Sequence, residues 1–467
     1  MARRPNLDVN GSGERVDLRG TMRITGDGRL EIGGCTCDRL AREFGTPLYV
    51  MDEDEIRARC REMAGVLSRA YPDTFVAYAS KAFSTLAMCR LVHQEGLGLD
   101  VASGGELYTA LQAGFPPERI LFHGNNKSVE EVEMGVRAGV LRFVVDNMHE
   151  LDILEDVARR FRRRVHVQIR LTPGIEAHTH DYIRTGQLDS KFGLGIANGQ
   201  AMAAARRVLA SELLVLEGLH CHIGSQILAV EPFGVAAALV MDFASEVKKE
   251  TGYTVREVNL GGGLGVRYKS GDERVPLGKY ASMISKIVRE KCLAHGLEMP
   301  RLMVEPGRYI VGEAGTTLYT VGAIKEIPGV RKYVAVDGGL ADNPRVALYQ
   351  ASYEAVVATR ALSPPEEKVS IAGRHCESGD MLIWDILLPR LRPGDLLAVL
   401  STGAYNYSMS SNYNRYPKPA VIFVKAGMAD VVVARETYQD VAARDRIPAR
   451  FEFADDASSC VGTAGTA

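Results

Sequence analysis

The central part of the chain alternates between two patterns of apolar and polar residues. From about Thr74 to Glu305, short β-rich runs alternate with ten to twenty residues of helix-like periodicity, such as Leu86–Gln94 and Val129–Ala138. This alternation is typical of repeated βα units. The predicted strands are Thr74–Ala79, Gly98–Val101, Arg119–Phe122, Arg142–Val145, Val165–Leu171, Leu216–His222, Val255–Leu260 and Arg301–Glu305. Eight such units favour a (β/α)8 TIM-type barrel, with an open doubly wound sheet as the alternative fold.

The pattern changes after roughly Gly315, where β runs follow one another closely and helix signals are few. The predicted strands there are Thr317–Ile324, Tyr333–Val336, Val369–Ala372, Asp395–Leu400, Ala420–Val424 and Asp430–Val433. This texture indicates a separate all-β domain, a sandwich or a barrel. The segment Met22–Ile32 is also strand-like, with a turn at Gly26–Gly28, and we expect it to pair with the β domain.

These patterns divide the chain into five parts, with a fold class of α/β plus all-β. We expect a disordered arm over residues 1–20 and a segment over 21–50 that pairs with the β domain. The barrel is expected over residues 51–314 and the β domain over 315–453. The small and polar residues 454–467 are expected to form a disordered tail.

The composition and charge of the chain exclude several classes of protein. The 467 residues include 56 Lys and Arg against 58 Asp and Glu, and 46% of the side chains are apolar. Disordered chains combine low hydrophobicity with high net charge, and nucleic-acid binders need an excess of positive charge, so both classes are excluded. No apolar run approaches the ~20 residues that span a bilayer, and the N-terminus lacks the apolar stretch of a secretory signal. We therefore expect a cytoplasmic protein without a membrane partner, with its eight cysteines reduced.

Polar and glycine-rich clusters follow the predicted barrel strands. They are Ser80-Lys81, Ser103-Gly104-Gly105-Glu106, His123-Gly124-Asn125-Asn126, His222-Ile223-Gly224-Ser225, Gly261-Gly262-Gly263 and Glu305-Pro306-Gly307-Arg308. Barrel enzymes place their active sites at this C-terminal rim. The coincidence therefore indicates an enzyme.

The glycine-rich stretch Asn259–Gly265 follows the seventh predicted strand. Exposed backbone N–H groups in such a stretch form an anion site, and barrels commonly bind phosphate after strands seven and eight. Arg308 would add a positive charge from the eighth loop. Taken alone, the stretch is equally well explained as a tight turn that requires glycine. A dinucleotide fingerprint is not present, because Val266 stands where a further glycine or alanine is needed.

Lys81 ends an apolar strand, so we expect its ammonium group to be partly desolvated. A desolvated lysine is a Schiff-base nucleophile, although a solvated lysine at the rim is the more frequent case. Pyridoxal phosphate requires such a lysine, a phosphate site and an acidic partner for its pyridinium nitrogen. Glu305 is placed to be that partner, so the combination favours this cofactor.

Three closely spaced pairs contain residue types that ligate metals, namely Cys35-x-Cys37, His178-x-His180 and His220-x-His222. No definite further ligand accompanies any of them, so we expect no metal site. His222 is instead expected to point into the barrel mouth, where its flat ring is able to stack on a cofactor.

The predicted β domain contains two polar clusters, His375–Asp380 and Ser401–Asn414. Cys376 beside Glu377 is either an inert turn or a catalytic group, and the tyrosines of the second cluster fit a surface loop or a site. Both clusters lie far from Lys81 in the sequence. They act with it only if the β domain caps a barrel mouth, either its own or that of a second subunit.

Further motifs connect these residues along the chain. They are Tyr78-Ala-Ser-Lys81-Ala-Phe, Gly98-Leu-Asp-Val-Ala-Ser-Gly-Gly-Glu106-Leu, His123-Gly-Asn-Asn-Lys-Ser128, Thr172-Pro-Gly-Ile-Glu-Ala-His-Thr-His180, Ser190-Lys-Phe-Gly193, His220-Cys-His-Ile-Gly-Ser-Gln226, Glu305-Pro-Gly-Arg308, Asp342-Asn-Pro-Arg345-Val-Ala-Leu-Tyr349, Cys376-Glu-Ser-Gly-Asp380 and Gly403-Ala-Tyr405. Jointly they resemble the bacterial diaminopimelate decarboxylases, in the alanine-racemase-like class of pyridoxal-phosphate enzymes. The resemblance extends from roughly Gly33 to Glu452.

The resemblance implies roles for individual residues. Lys81 would hold pyridoxal 5'-phosphate as a Schiff base, and Cys376 would protonate the carbanion. The implied cofactor-binding residues are Lys81, His222, Ser225, Gly262, Gly263, Glu305, Pro306, Gly307, Arg308 and Tyr405. The implied substrate-binding residues are Arg308, Arg345, Tyr349, Glu377 and Tyr405. Cys376 and Glu377 would reach the site from the second subunit of a homodimer.

The resemblance also implies the reaction. It is the decarboxylation of meso-2,6-diaminoheptanedioate to L-lysine and CO2, the last step of lysine biosynthesis. Arg308, Arg345 and Tyr349 favour a substrate with a second carboxylate over ornithine or arginine, which have none. The alternatives are a decarboxylase of another diamino acid or natural-product carboxylate, a racemase on the same architecture and a non-catalytic cofactor-binding protein.

Overall fold

The computed structural model describes residues 18–172 and 190–451. The pair His178-x-His180 and nearly all of the two terminal segments expected to be disordered lie outside these ranges. No helix within the described ranges is both long and apolar enough to cross a lipid bilayer.

The chain begins with a small antiparallel sheet of three strands in the order β1-β2-β3, followed by one helix and one further strand. These elements are β1 Arg23–Ile24, β2 Leu30–Ile32, β3 Cys35–Thr36, α1 Cys37–Phe44 and β4 Leu48–Asp52.

Eight parallel strands then form a closed barrel, as predicted, and the ends of each strand lie within two residues of the prediction. The barrel closes because the last strand, β13, pairs with the first, β5. The strands are β5 Thr74–Ala79, β6 Gly98–Val101, β7 Ile120–Phe122, β8 Arg142–Val145, β9 Val165–Thr172, β11 Leu214–Cys221, β12 Glu257–Asn259 and β13 Arg301–Val304, with a short strand β10 Leu194–Gly195 beside β9. The surrounding helices are α2 Glu53–Ala70, α3 Leu86–Gln94, α4 Gly104–Gln112, α5 Val129–Ala138, α6 Met148–Phe161, α7 Gln200–Ala210, α8 Glu231–Thr251 and α9 Leu277–His295.

Helix α2 completes the outer ring of helices, since it packs against both α9 and α3. The side chain of Asp52 caps its first turn by accepting a hydrogen bond from the backbone N–H of Glu55, at 3.1 Å. Ile56, Cys60 and Met63 are buried at spacings of four and three residues, which places them on the face that meets the barrel. The ring is therefore closed by the helix that precedes the first barrel strand.

Side chains alternate along each barrel strand between the helix layer and the barrel interior. In β12, Val258 belongs to the outer core, whereas Glu257 and Asn259 form hydrogen bonds inside the barrel. Arg142 donates two hydrogen bonds to Glu257, at 2.9 and 2.8 Å, and Gln168 donates a third at 2.9 Å. Asn259 in turn donates to the side-chain oxygen of Gln168 at 3.2 Å. The barrel interior thus contains a column of hydrogen-bonded polar side chains.

The rest of the chain forms the predicted β domain. Its main sheet has the strand order β18-β17-β15-β14-β4-β20-β21, and β19 also pairs with β14 and β16. The elements after the barrel are α10 Arg308–Val311, β14 Gly315–Ile327, β15 Arg331–Val336, α11 Arg345–Tyr349, β16 Ala355–Val357, β17 Glu367–Ala372, β18 Met381–Leu388, β19 Leu396–Leu400, β20 Ala420–Lys425, β21 Met428–Val433 and α12 Tyr438–Ala442. The six predicted strands are present, whereas β16 and β18 were not predicted.

The N-terminal segment joins the β domain as expected, although Met22–Ile32 itself does not enter the main sheet. Strands β1 and β2 of the predicted segment Met22–Ile32 pair with each other and not within the main sheet. Two backbone hydrogen bonds of 2.7 Å connect the segment to the β domain, from Leu30 to Ala358 and from Ala361 to Gly28. The strand that enters the main sheet is β4, which lies antiparallel to β14 and parallel to β20.

Strand β4 is buried on both faces, which explains why no alternating pattern marked it in the sequence. Leu48 and Val50 pack into a core shared with the N-terminal segment. Tyr49 and Met51 pack on the opposite face, in the large core that includes the barrel helices. One strand therefore joins the N-terminal segment, the β domain and the barrel.

We expect Ile422→Ala to lower the free energy of unfolding by about 2–5 kcal/mol, because it removes buried methyl groups and leaves a cavity. Ile422 is fully buried at the centre of β20. Its cross-strand partner Val431 is 51% exposed, so Val431→Ala is the matched control and should change stability by less than about 0.5 kcal/mol. Chemical denaturation measures both, and equal losses would contradict the assignment of this core.

Candidate active site

Two adjoining cavities lie at the C-terminal end of the barrel strands. The inner cavity, of about 310 Å³, is lined by the strand ends, and the outer cavity, of about 580 Å³, lies between the barrel and the β domain. All ten residues predicted to bind a cofactor line the inner cavity. Lys81, Ser225, Arg308 and Tyr405 line both cavities, so the two spaces form one continuous site.

Lys81 lies on a single turn of 3-10 helix, Ser80–Ala82, directly after β5. Ala77 belongs to the core inside the barrel, and the two-residue alternation of the strand carries Ala79 and Lys81 to the same side. The side chain of Lys81 is exposed within the cavities, so the expected desolvation of its ammonium group is not observed.

Glu305 follows β13 and is buried at the base of the inner cavity. One carboxylate oxygen lies 2.8 Å from Nε2 of His123 and accepts a hydrogen bond from Asn259 at 2.8 Å. The other oxygen lies 3.1 Å from Nε2 of His220. Burial alone would raise the pKa of Glu305, but the two imidazoles outweigh it and hold the pKa well below its usual value. The site therefore contains an ionised carboxylate.

Asp100 and His123 were not predicted as site residues, although both line the inner cavity beside Glu305. Nε2 of His123 lies 3.7 Å from a carboxylate oxygen of Asp100. Asp100 occupies an inward position in β6, because its neighbours Leu99 and Val101 pack in the outer core. The same alternation carries His123 inward just after β7. A polar residue at the inward position of a predicted barrel strand is thus the signal that would have found them.

His222 lies just beyond the end of β11, two residues after His220, and both rings line the inner cavity. This agrees with the prediction that residues spaced by two face the same side. Burial, together with the nearby positive charges of Lys81 and Arg170, lowers the pKa of His222 well below its usual value. A neutral, flat ring is therefore available at the cavity wall.

The glycine loop after β12 is both a wall of the ligand cavity and a tight turn that requires glycine, the two interpretations made from the sequence. Gly262 and Gly263 line the inner cavity, as a ligand site requires. The backbone also needs glycine here, since Gly263 has a φ of +121° and a Cβ on it would lie 2.6 Å from the carbonyl oxygen of Gly224. A Cβ on Gly262 would overlap the carbonyl oxygen of Glu305. The loop is consequently packed against two neighbouring loops and also presents its backbone to the cavity.

Two arginines share one tyrosine on the wall of the outer cavity. The hydroxyl of Tyr268 accepts hydrogen bonds from Arg308 and, at 2.6 Å, from Arg345. Arg308 also donates to the hydroxyl of Ser225, at 2.9 and 3.2 Å. The sequence did not indicate Tyr268, because it lies in a loop after the glycine-rich stretch and meets Arg345 only through the tertiary fold. The arrangement fixes two positive groups side by side.

Further residues of the β domain also reach this cavity of the same chain. Tyr405 lines both cavities, and the guanidinium of Arg308 lies 4.8 Å from the centre of its ring. The ring of Tyr349, 64% exposed, lies at the cavity wall 6.0 Å from the guanidinium of Arg345. Met409 also lines the outer cavity. The β domain therefore caps its own barrel mouth, one of the two arrangements considered from the sequence.

Cys376 and Glu377 are exposed and line neither cavity. They lie in the turn between β17 and β18, which is held by Asp380. One oxygen of that carboxylate accepts from the backbone N–H of His375 at 2.7 Å and lies 2.8 Å from Nδ1 of the same residue. Asn414 accepts a hydrogen bond from the backbone N–H of Cys376 at 2.8 Å. The turn thus leaves both side chains exposed and outside the cavities of its own chain.

Within the described residues, His123, His220 and Glu305 bring potential metal-ligand atoms within 4.8 Å of one another. The Nε2 atom of each of the two imidazoles already contacts an oxygen of Glu305. Hydrogen bonding therefore accounts for the cluster. It shares only His220 with the pairs of potential metal ligands that the sequence analysis considered.

Comparison with known proteins identifies the family. A family profile described as "Pyridoxal-dependent decarboxylase, pyridoxal binding domain" matches residues 53–312. The chain belongs to the pyridoxal-dependent decarboxylases. The matched residues contain every barrel strand and helix from α2 to α10.

Several members of this family resemble the chain over most of its length. A diaminopimelate decarboxylase of Bacillus subtilis (strain 168) is 53% identical over 428 residues, which are 92% of this chain and 98% of the relative. One of Mycobacterium tuberculosis (strain ATCC 25618 / H37Rv) is 47% identical over 88% of this chain and 93% of its own. A crystal structure of a diaminopimelate decarboxylase from M. jannaschii in complex with L-lysine has a TM-score of 0.86 and 38% identity, covering 92% of this chain and 98% of that one.

The residues of the inner cavity fit the family cofactor, pyridoxal 5'-phosphate. The inner cavity contains the amine of Lys81, which a Schiff base requires, and the ionised carboxylate of Glu305, which a pyridinium nitrogen requires. It also contains the neutral imidazole of His222, a flat ring against which an aromatic ring is able to stack. The glycine loop, the Ser225 hydroxyl and the Arg308 guanidinium form a cradle for an anion.

We expect Lys81→Ala to abolish covalent attachment of pyridoxal phosphate, because Lys81 is the lysine of the inner cavity. Lys269→Ala is the matched control, since Lys269 lines the outer cavity without reaching the inner one. Borohydride reduction followed by mass spectrometry detects the adduct in the wild-type and control proteins. An adduct of the same yield in Lys81→Ala would remove that lysine from its predicted role.

Proposed function

We propose that this protein decarboxylates meso-2,6-diaminoheptanedioate to L-lysine and CO2, the last step of lysine biosynthesis, in the cytoplasm. The observation that carries the proposal is the pair of Arg308 and Arg345, held together by the Tyr268 hydroxyl in the cavity next to Lys81. A substrate with a second carboxylate suits this pair, since guanidinium groups bind carboxylates in fixed geometry. The relatives named diaminopimelate decarboxylase support the same substrate.

The roles proposed at the inner cavity follow from its chemistry. Lys81 would hold the cofactor through its amine, His222 would supply a flat ring for its pyridine ring, and Glu305 would keep the ring nitrogen protonated. Groups around the glycine loop would hold the phosphate, namely Ser225, Gly262, Gly263, Gly307, Arg308 and Tyr405, and Pro306 lines the same cavity. Pyridoxal phosphate, when bound, accepts the electron pair that is left when the carboxylate departs as CO2.

The outer cavity orients the substrate. Arg308, Arg345 and Tyr349 bind the distal carboxylate, and this fixes which end of the molecule reaches Lys81. Orientation of this kind lowers the barrier because the reacting bond is already positioned when the substrate binds. Ornithine and arginine lack the distal carboxylate and leave two guanidinium groups without their partner. The arginine pair therefore discriminates among diamino acids.

The site is completed by a second subunit in this proposal. Cys376 and Glu377 lie outside the cavities of their own chain, on a turn held by the Asp380 carboxylate. In a homodimer they enter the outer cavity of the partner, where Cys376 delivers a proton to the substrate carbon and Glu377 binds the distal ammonium group. The exposure of both side chains supports this arrangement.

The proposal is tested with the holoenzyme, by offering it meso-diaminopimelate, L-ornithine, L-arginine and L-lysine separately. Released CO2 and the product amine are identified for each substrate. Lysine formed from diaminopimelate alone supports the proposal. CO2 released from another amino acid instead would overturn the assigned substrate, and racemisation without CO2 would overturn the reaction.

Arg345→Ala should raise KM for diaminopimelate roughly 10- to 150-fold, with a smaller change in kcat. The reason is that one hydrogen bond between charged groups is worth about 1.5–3 kcal/mol. Cofactor titration is the control and should match the wild type, because Arg345 does not line the inner cavity. An unchanged KM would show that the distal carboxylate is bound elsewhere.

Lys81→Ala and Cys376→Ala should each be nearly inactive, but a mixture allowed to exchange subunits should regain activity. In a mixed dimer one site receives its lysine from one chain and its cysteine from the other, so it is intact. A mixture of Lys81→Ala with Glu305→Ala is the control, because both changes affect the same inner cavity and no intact site forms. Equal activity in the two mixtures would contradict a shared site.

A further inference from the structure

A histidine lies between two buried carboxylates at the base of the inner cavity. Nε2 of His123 is 2.8 Å from Glu305 and 3.7 Å from Asp100, and all three side chains are buried. The three residues come from the ends of β6, β7 and β13. Because those strands are fixed by the barrel, the two carboxylates are held close together whatever the state of the histidine.

Other ionisable groups also face this cluster. Nε2 of His220 lies 3.1 Å from the second oxygen of Glu305, and its Nδ1 has no hydrogen-bond partner among the described residues. That arrangement fits a neutral ring with its proton on Nε2. Arg170, Lys81 and Glu106 also influence the charges of the cluster. His123 is accordingly the group that contacts both carboxylates.

Two carboxylates that share a buried site do not both remain ionised unless a positive charge accompanies them. We propose that the pair of Asp100 and His123 is a positioning device that keeps Glu305 ionised, so that the ring nitrogen of the bound cofactor stays protonated. The positive charge of His123 compensates Asp100 and leaves the negative charge of Glu305 to the ring nitrogen. This inference depends on the family cofactor and does not depend on which amino acid is decarboxylated.

The ionisation preferences of these groups agree with the proposal. Burial would lower the pKa of His123, but Asp100 and Glu305 raise it above its usual value. Burial raises the pKa of Asp100 to about 6, so that it is mainly ionised at neutral pH. Burial lowers the pKa of His220 to about 4, so that this ring is neutral. These directions favour the protonated form of His123, which lies 2.8 Å from Glu305 and 3.7 Å from Asp100.

The test uses holoenzyme loaded with pyridoxal phosphate labelled with 15N in its ring, whose NMR shift reports the protonation of that nitrogen. In His123→Gln an N–H group is retained near Glu305 but the positive charge is lost. The ring nitrogen should then lose its proton at a lower pH, by about one pKa unit or more, and the cofactor should bind roughly tenfold more weakly. An unchanged NMR titration would overturn the proposal.

Asp100 provides the matched comparison. Asp100→Asn leaves His123 and Glu305 as an ion pair, in which the charge of His123 compensates Glu305 instead of Asp100, so the ring nitrogen should again lose its proton at a lower pH than in the wild type. The double variant Asp100→Asn/His123→Gln removes both compensating charges and should recover much of the protonation lost in His123→Gln. If the two residues served packing alone, the double variant would change the pKa of the ring nitrogen by the sum of the two single changes. Such an additive result would overturn the proposal.

One measurement avoids any change at the cluster. In wild-type holoenzyme with 15N-labelled histidine, both ring nitrogens of His123 should be protonated at neutral pH, whereas His220 should carry one proton. A neutral His123 would overturn the proposal even if His123→Gln failed to fold. Loss of decarboxylation with diaminopimelate would leave these spectra unaffected, so failure of the proposed substrate is distinguished from failure of this inference.

Discussion

The polar interior of the barrel depends on the hydrogen bonds that hold the buried carboxylate of Glu305. An isolated charge at this depth would cost roughly several kcal/mol, and it is accepted here because three donors converge on it. One of them, Asn259, is itself fixed through Gln168 to the ion pair of Arg142 and Glu257. The charge at the cavity is thus supported by a column of contacts that runs through the barrel.

The second requirement of the site is that the β domain remain fixed on the barrel. Tyr405 lines both cavities, and its backbone N–H donates to the carbonyl oxygen of Ala82 at 2.8 Å. Arg345 reaches the same wall through Tyr268, which lies in a barrel loop. The inner cavity is therefore built almost wholly by the barrel, whereas the outer cavity exists only where the two domains meet. Under the proposed function, the residues that select the substrate therefore lie at that junction more than in the barrel.

Most of the fold followed from local patterns in the sequence. Barrel strands are buried, apolar and separated by periodic helices, so their positions were found to within two residues. Strand β4 was missed because both its faces are buried. Met22–Ile32 contacts the β domain as expected, but its folding into a small sheet of its own was not predicted, because the choice of strand partner leaves no local pattern. Lys81 and Glu305 were marked by their position after strands. Tyr268 lies in a loop and meets Arg345 only through the tertiary fold, which spacing along the sequence does not encode.

The position of β4 in the main sheet also bears on how the chain folds. Its two partners, β14 and β20, belong to the last third of the sequence, although β4 precedes the whole barrel. During synthesis this strand emerges before the whole barrel, and its partners β14 and β20 follow only after the barrel has been made. The main sheet therefore cannot be completed until the strands on both sides of the barrel sequence are joined, so the β domain depends on long-range pairing whereas each barrel strand pairs with a near neighbour in the sequence.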